Sequence, residues 1–315
     1  MNVLCIERGH EFSPNMVEAD RNILRLVAEE LTGEGHRVET INETDLLFLE
    51  NSQNVGQKRV PDHGCSHFDV VCSMARDSRV LALLDMADMP VLNSPEGVAF
   101  CLTNRNLGGL RGVGEVLRCP PTSDVTLTDE STVAAVMRSM IADGVGCPCW
   151  MKRNDGCSQH PDDVVFISSE ADLSDAAESF LRRDIKRVVV SGHVEGDLVK
   201  FYAVNTSAAS IECPQESFFR WRYAGGKGGK FGWEEHNGEP HGYDFDEEEL
   251  RRQVMEVAAG LSMRVVGGDA VIDSQGRLFL VDFNDWPSFS SCAAEAAKAI
   301  ACAAKAVGTN LYQTI

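Results

Sequence analysis

The segment Gly267-Gly-Asp-Ala-Val-Ile-Asp-Ser-Gln-Gly-Arg-Leu-Phe-Leu-Val-Asp-Phe-Asn284 holds two strand-like runs joined by the turn signal Asp273 to Gly276. A four-residue connection closes a hairpin in which position 269 lies opposite 280 and diagonal to 282. Asp269, Asp282 and Asn284 then share one face. Asp and Asn are depleted in strand interiors, and two neighbouring carboxylates repel unless a cation lies between them. Magnesium suits such a set, because it takes one or two carboxylates and completes its shell with phosphate oxygens and water. The competing reading is a solvated strand face that happens to be acidic.

A chain of 315 residues, 43% of them hydrophobic, is long enough for two or three compact units, each with its own core. The 29 basic residues against 48 acidic ones give a net charge of -19, which repels phosphate backbones and anionic lipid surfaces. No nucleic acid and no membrane partner is therefore expected. The opening Met1 to Arg8 reads as a strand rather than a targeting segment. Charges at Glu295, Lys298 and Lys305 interrupt the Ala-rich stretch 292–307, so a spanning helix is not expected and a cytoplasmic location is. The 11 cysteines contain no C-x-x-C, and the close pair Cys147 and Cys149 lacks a neighbouring His, so they read as small buried apolar residues rather than zinc ligands.

The fold class expected is α/β followed by α+β. Val3 to Ile6, a helix with Leu24, Val27, Ala28 and Leu31 on one face, and Arg37 to Ile41 make a β-α-β start. Phe68 to Cys72, a helix around Ser78 to Ala87 and a strand at Pro90 to Asn93 extend it into an open parallel sheet over residues 1–94. His10 and Arg76 follow predicted strand ends and would line the crevice that such sheets use for ligands. Residues 95–185 and 186–315 read as two α+β units, with strands at Trp150 to Lys152, Asp163 to Ile167, Val188 to Val190 and Leu198 to Val204. Between residues 220 and 230 stand four cations and two aromatics among glycines. That pattern reads as a loop in which Arg220 and Arg222 neutralise an acyl phosphate or a carboxylate.

The spacing of thirteen from Asp269 to Asp282, with Asn284 two further on and Pro287 shortly after, resembles the metal-binding end of the ATP-grasp superfamily, where the pattern is Asp, then Glu-x-Asn. Asp282 stands where Glu is usual. The likeness covers about residues 1 to 300 and points to carboxylate–amine ligases such as D-alanine–D-alanine ligase and glutathione synthetase. It implies an N-terminal open parallel-sheet domain and two α+β subdomains that clasp ATP. Trp150-Met-Lys152 resembles the strand whose Lys reaches the phosphates, and Asp155-Gly-Cys-Ser158 the loop that closes over them. Val188 to Asp197 resembles the hinge that holds adenine, with backbone groups near His193 and Val194 on the base edge and Ser191-Gly192 where Gln-Glu is frequent. The resemblance sets Glu195 and Lys200 along the ribose and phosphate path and Arg105 in place of a phosphate-contacting Lys. The ligases usually carry Arg two residues before the first metal Asp; here it is Gly267, and Arg220 or Arg222 would supply the cation.

The resemblance thus implies a ligase that uses ATP and Mg2+ to form an amide-type bond through an acyl phosphate. Its substrate would be a small molecule of the amino-acid or peptide kind, and whether the chain is a homodimer is left open. Two readings compete with ligation: a kinase of the same superfamily that leaves phosphate on its product, and a nucleotide-binding protein without turnover.

Overall fold

The computed structural model describes residues 1–13, 15–47, 68–87, 89–104, 106–107, 118–128, 132–206, 217–224 and 233–309. Arg105 and the glycine-rich stretch 225–230 lie outside these residues.

Four consecutive apolar residues, Val3 to Ile6, leave no polar face for water, and all four are buried. That is the pattern of a strand covered on both sides. The strand β1 (Asn2–Glu7) lies between β2 (Arg37–Asn42) and β3 (Val70–Ser73), and both pairings are parallel. Alternation then decides which helix each residue meets. Val3 and Cys5 pack with Ile23, Leu24, Val27 and Leu31 of α1 (Val17–Gly33), whereas Leu4 and Ile6 pack with Val80 and Leu84 of α2 (Ser78–Met86).

Residues 90–93, expected as a strand, form only single bridges, Val71 to Val91 and Asn93 to Met263. The buried Asn93 side chain explains the second one. It donates to Val265 O at 2.7 Å and accepts from the N–H groups of Arg264 and Val265 at 2.8 and 2.9 Å, which ties the first unit to the last sheet. The helix α3 (Pro95–Thr103) begins directly afterwards, capped by the Ser94 hydroxyl on Gly97 N and opened by a proline.

The central unit is an antiparallel sheet in the order β4-β7-β5-β6, built from β4 (Thr122–Thr126), β5 (Cys149–Arg153), β6 (Val164–Ile167) and β7 (Arg187–Gly192). The helices α4 (Thr132–Ala142) and α5 (Glu170–Arg182) cover one face, where Cys149, Met151, Val188 and Val190 meet Val136, Met140, Leu173 and Phe180. Because β7 pairs with both β4 and β5, the chain leaves this unit only after Gly192, beyond the boundary expected at 185.

The last sheet has the order β11-β10-β8-β9, all antiparallel, from β8 (Asp197–Val204), β9 (Phe218–Tyr223), β10 (Val265–Ile272) and β11 (Leu278–Asp285). The helix α6 (Glu247–Gly260) sets Leu250, Val254, Val257 and Ala258 against Val199, Phe201, Ala203, Val266, Ala270 and Leu280. Arg220 and Arg222 sit on strand β9 rather than in the loop expected for them. The final helix, α7 (Ala293–Thr309), turns back: its Ala296, Ala299, Ile300 and Ala303 share one core with β1 and α1. Trp286 and Phe289 and the last-sheet residues Tyr202, Val204 and Val265 join that core, so the first unit, drawn at 1–94 from sequence, is closed by the other end of the chain.

Candidate active site

The β10–β11 hairpin differs from the simple four-residue connection. The carboxylate of Asp273 accepts from the N–H groups of Gln275 and Arg277, both at 2.9 Å, and the first rung is Ile272 to Leu278, so Arg277 belongs to the connection. Gly276 adopts φ +72°, and a Cβ there would lie 2.5 Å from Asp244 O, so only glycine fits. A second irregularity follows. Ala270 faces Leu280 but Asp269 faces Asp282, leaving Val281 as a β-bulge. Leu278, Leu280 and Phe283 are core residues, whereas Val281, Asp282 and Asn284 line a cavity of about 340 Å³. Without the bulge, strict alternation would set Asp282 on the face of Leu278 and Leu280. The shared face of Asp269, Asp282 and Asn284 holds; the register behind it is corrected.

Direct cross-strand partners continue the row: Asp269 faces Lys200 on β8, and Lys200 faces Arg222 on β9. One rung of the sheet therefore carries Arg222, Lys200, Asp269 and Asp282 in that order. Lys200 Nζ stands 3.1 Å from Asp269 Oδ1 and 3.1 Å from Glu234 Oε1. Burial disfavours its charge, but the two carboxylates outweigh that and hold its pKa above the usual lysine value. Burial pushes the Asp269 carboxyl up, against the pull of Lys200 and with the push of Asp282. Asn284 Nδ2 donates to Asp282 Oδ2 at 2.6 Å, which orients that carboxylate.

Opposite this row stands the uncovered face of the central sheet. Trp150 and Lys152 both line the cavity, and Lys152 Nζ donates to the carbonyl of the bulged Val281 at 3.1 Å. The hinge supplies the third wall through Gly192, His193 and Val194. The N–H of Gly192 donates to Pro121 O and that of His193 to Pro148 O, both at 2.9 Å, and the Val194 carbonyl accepts from Asn237 Nδ2 at 3.0 Å. Burial lowers the His193 pKa, with Glu195 raising it and His236 lowering it. Its Nδ1 lies 3.1 Å from the Trp150 indole N–H, so it accepts that bond as the neutral ring.

Solved structures align with nearly the whole chain. The RimK domain ATP-grasp protein from Sphaerobacter thermophilus aligns over 96% of this chain and 99% of its own, at 15% identity and a TM-score of 0.60. The D-alanine–D-alanine ligase from Bacillus anthracis complexed with ATP aligns over 100% and 99%, at 12% identity and 0.64. The VanG D-Ala:D-Ser ligase from Enterococcus faecalis aligns over 98% of each chain, at 13% identity and 0.65. This chain has the ATP-grasp fold. No family model and no curated relative matches it by sequence.

Within that fold the fourth wall of the cavity comes from the N-terminal unit. Arg8 follows β1 and Arg76 follows β3, and both converge on the buried Asp285 at the end of β11. Arg76 bonds Asp285 Oδ1 through Nε and Nη2 at 3.0 and 2.7 Å; Arg8 Nη2 reaches Asp285 Oδ2 at 3.2 Å while its Nη1 reaches Asp20 at 3.0 Å. The Ser13 hydroxyl bonds the same Asp20 oxygen. His10, by contrast, is exposed and pairs with Arg21.

The ATP-grasp cavity thus brings together Lys152, His193, Val194, Lys200, Arg222, Asp269, Asp282 and Asn284. It does not include Ser191, whose hydroxyl lies 3.0 Å from that of Thr122, or the exposed Glu195. Arg220 is also outside it, 57% exposed and paired with Glu295 at 2.7 Å: it is on the same face of β9 as Arg222 but two residues along the strand, opposite Tyr202 instead of Lys200. Arg105 lies outside the described residues. Sequence reasoning missed Arg8, Asp20, Glu234 and Asp285. The same rule that singles out Arg76, a residue just beyond a parallel strand, would have found Arg8. The ligase-type Arg before Asp269 has no room here: a Cβ on Gly267 would lie 2.7 Å from Pro287 Cγ.

The donor set fits magnesium. Among the described residues no three His, Cys, Asp or Glu side chains converge as a self-sufficient metal cage. Two carboxylates and one amide oxygen on one face of the sheet, from the adjacent strands β10 and β11, are the partial shell that Mg2+ takes when phosphates and water supply the rest.

Proposed function

We propose that this protein is an ATP-dependent ligase that joins a carboxylate to an amine through an acyl phosphate. The observation that carries the reading is the rung Arg222–Lys200–Asp269–Asp282 facing Lys152 across one cavity, with the hinge at Val194 closing its side. Asp269, Asp282 and Asn284 would hold the magnesium, which would supply neutralisation of the charge that develops on the transferred group.

The protein's own residues bind and orient. Lys152 offers a point charge to the phosphates, and Val194 offers backbone groups to the base. Arg222, whose buried Nε has no partner among the described residues, faces the place where charge develops on the acyl phosphate. The reaction needs no side-chain nucleophile: the substrate carboxylate attacks the terminal phosphorus of ATP and ADP leaves, then the amine attacks the acyl carbon, inorganic phosphate leaves and the amine gives up a proton to solvent. The kinase is the competing reading, favoured by the absence of any side chain at Gly267.

The test is purified protein with Mg-ATP and pooled amino acids, small peptides and polyols, followed by mass spectrometry. Free phosphate with a condensed product is the expected result. A product heavier by one phosphoryl group would establish the kinase instead, and an unconsumed ATP pool would exclude both enzymes.

A further inference from the structure

The hinge residues that line the cavity, Gly192, His193 and Val194, leave it without a side-chain hydrogen-bond acceptor. Gly192 has no side chain and that of Val194 is apolar. His193 Nδ1 already accepts the Trp150 indole N–H at 3.1 Å, so the neutral ring keeps its proton on Nε2 and offers a donor. Ser191, one residue earlier, is buried with its hydroxyl 3.0 Å from that of Thr122.

Asn237 stands beside this wall and carries the missing group. It ends a short 3-10 turn, Trp233–Asn237, in which Glu234 Oε1 lies 3.1 Å from Lys200 Nζ. The turn therefore links the hinge to the rung, and Glu234 and Asn237 both line the cavity. Asn237 Nδ2 donates to the carbonyls of Val194 and Gly196 at 3.0 and 3.2 Å. Two carbonyl oxygens can be met only by the amide nitrogen, which settles the orientation of the group. Its Oδ1 lies on the other side of the amide and accepts from no described residue.

We propose that Asn237 selects the base of the nucleotide, with Oδ1 accepting from the exocyclic amino group of adenine. This rests on the reading of the cavity as an ATP site and specifies how that site recognises its base. Adenine carries an amino donor where guanine carries a carbonyl acceptor. The amide could turn its nitrogen toward a carbonyl only by abandoning both hinge bonds, so guanine would meet Oδ1 acceptor to acceptor. Asn237 is a specificity-determining residue here and takes no part in phosphoryl transfer.

The experiment isolates the amino group. The full chain is titrated calorimetrically, in the presence of Mg2+, with ATP and with purine riboside triphosphate, in which a hydrogen replaces that group. The parent is expected to prefer ATP by about ten-fold, as one hydrogen bond to a fixed acceptor gives. Asn237→Leu is expected to bind the two nucleotides alike. A variant that weakens both equally and keeps the preference overturns the proposal, because a turn that only braces the hinge would behave that way. A parent without the preference overturns it as well. If Asn237→Leu does not fold, as judged by circular dichroism, Asn237→Ala takes its place under the same criterion. A parent that binds neither nucleotide removes the ATP-site reading itself, and this one with it.

Discussion

Asp282 and Asp285 stand three residues apart on one strand and answer opposite design needs. Asp285 is 1% exposed and enclosed by Arg8 and Arg76, so every charge around it has a partner. Asp282 directly faces another carboxylate, Asp269, and accepts from the side-chain amide of Asn284. Where a protein builds for stability it surrounds a buried charge with its opposite; where it builds for chemistry it sets like charges side by side and leaves a ligand to complete them. Two positions of β11, three residues apart, thus carry a charge paired with its opposites and a charge set against its like.

The comparison breaks most readily at Asp282. Asp282→Asn is expected to abolish ATP turnover by several orders of magnitude, because it removes a carboxylate needed when the triphosphate is bound. The apo protein should melt no lower than the parent, since repulsion with Asp269 is relieved. Product formation and apo melting temperature, measured on both proteins, decide it; a much lower melting point would make Asp282 structural.

The opposite outcome is expected at the other end of the strand. Asp285→Asn leaves the buried Arg76 without an acidic partner, and breaking a buried pair costs about 3–5 kcal/mol. Urea denaturation should show the midpoint fall by a corresponding amount. A shift below about 1 kcal/mol would mean that Asp285 belongs with the functional acids.

Lys152→Met tests the facing wall. The Lys152 ammonium donates to the Val281 carbonyl, and losing a part-buried bond of that kind costs about 0.5–1.5 kcal/mol, so the fold should survive the change. Loss of a charge-assisted contact to phosphate should weaken ATP binding by about 1.5–3 kcal/mol, roughly ten- to a hundred-fold, as read by calorimetric titration. An unchanged dissociation constant would remove Lys152 from the nucleotide site.

The smallest effect concerns the hinge. Burial depresses the folded-state pKa of His193 below the ordinary imidazole value of 6.5, so the folded protein binds fewer protons than the unfolded chain in that range. Its contribution is full above 6.5 and declines as pH falls through the folded value. His193→Gln should therefore lose less melting temperature than the parent between pH 7 and pH 5, by a margin of about a degree or two, as expected for a fraction of a kcal/mol. Identical pH profiles would show that the ring titrates alike in both states.

How far the sequence could carry this reading follows from where each piece of information resides. Asp269, Asp282 and Asn284 stood out because acids and amides inside apolar runs contradict local propensity, whereas Lys152 was singled out by the family resemblance, a Lys on a strand being by itself an ordinary surface residue. The parallel sheet was legible from its uniformly apolar β1. The bulge was not read, although Leu278, Leu280 and Phe283 break the period of two and signal an extra residue. The pairing of Arg8 with Asp285 spans 277 positions, and nothing local announces it. Arg220 misled because β9 looked like the start of a glycine-rich loop, and its partner Glu295 lies on a distant helix. The placement of β7 failed for a related reason: a strand declares its pattern but not its neighbours.

The extra residue at Val281 also gives this strand a slack that strictly paired strands lack. Deleting one codon from a regular strand reverses the face of every side chain beyond it. Deleting the codon for Val281 removes only the unpaired residue: strict alternation then keeps Leu278, Leu280 and Phe283 toward the core and Asp282 and Asn284 on the cavity face, with Asp282 still opposite Asp269. The Val281-deleted protein is therefore expected to fold with a denaturation midpoint close to the parent's, and a midpoint far below it would show that the bulge itself holds the strand in place. The length of this strand can thus change by one residue while its phase is inherited intact.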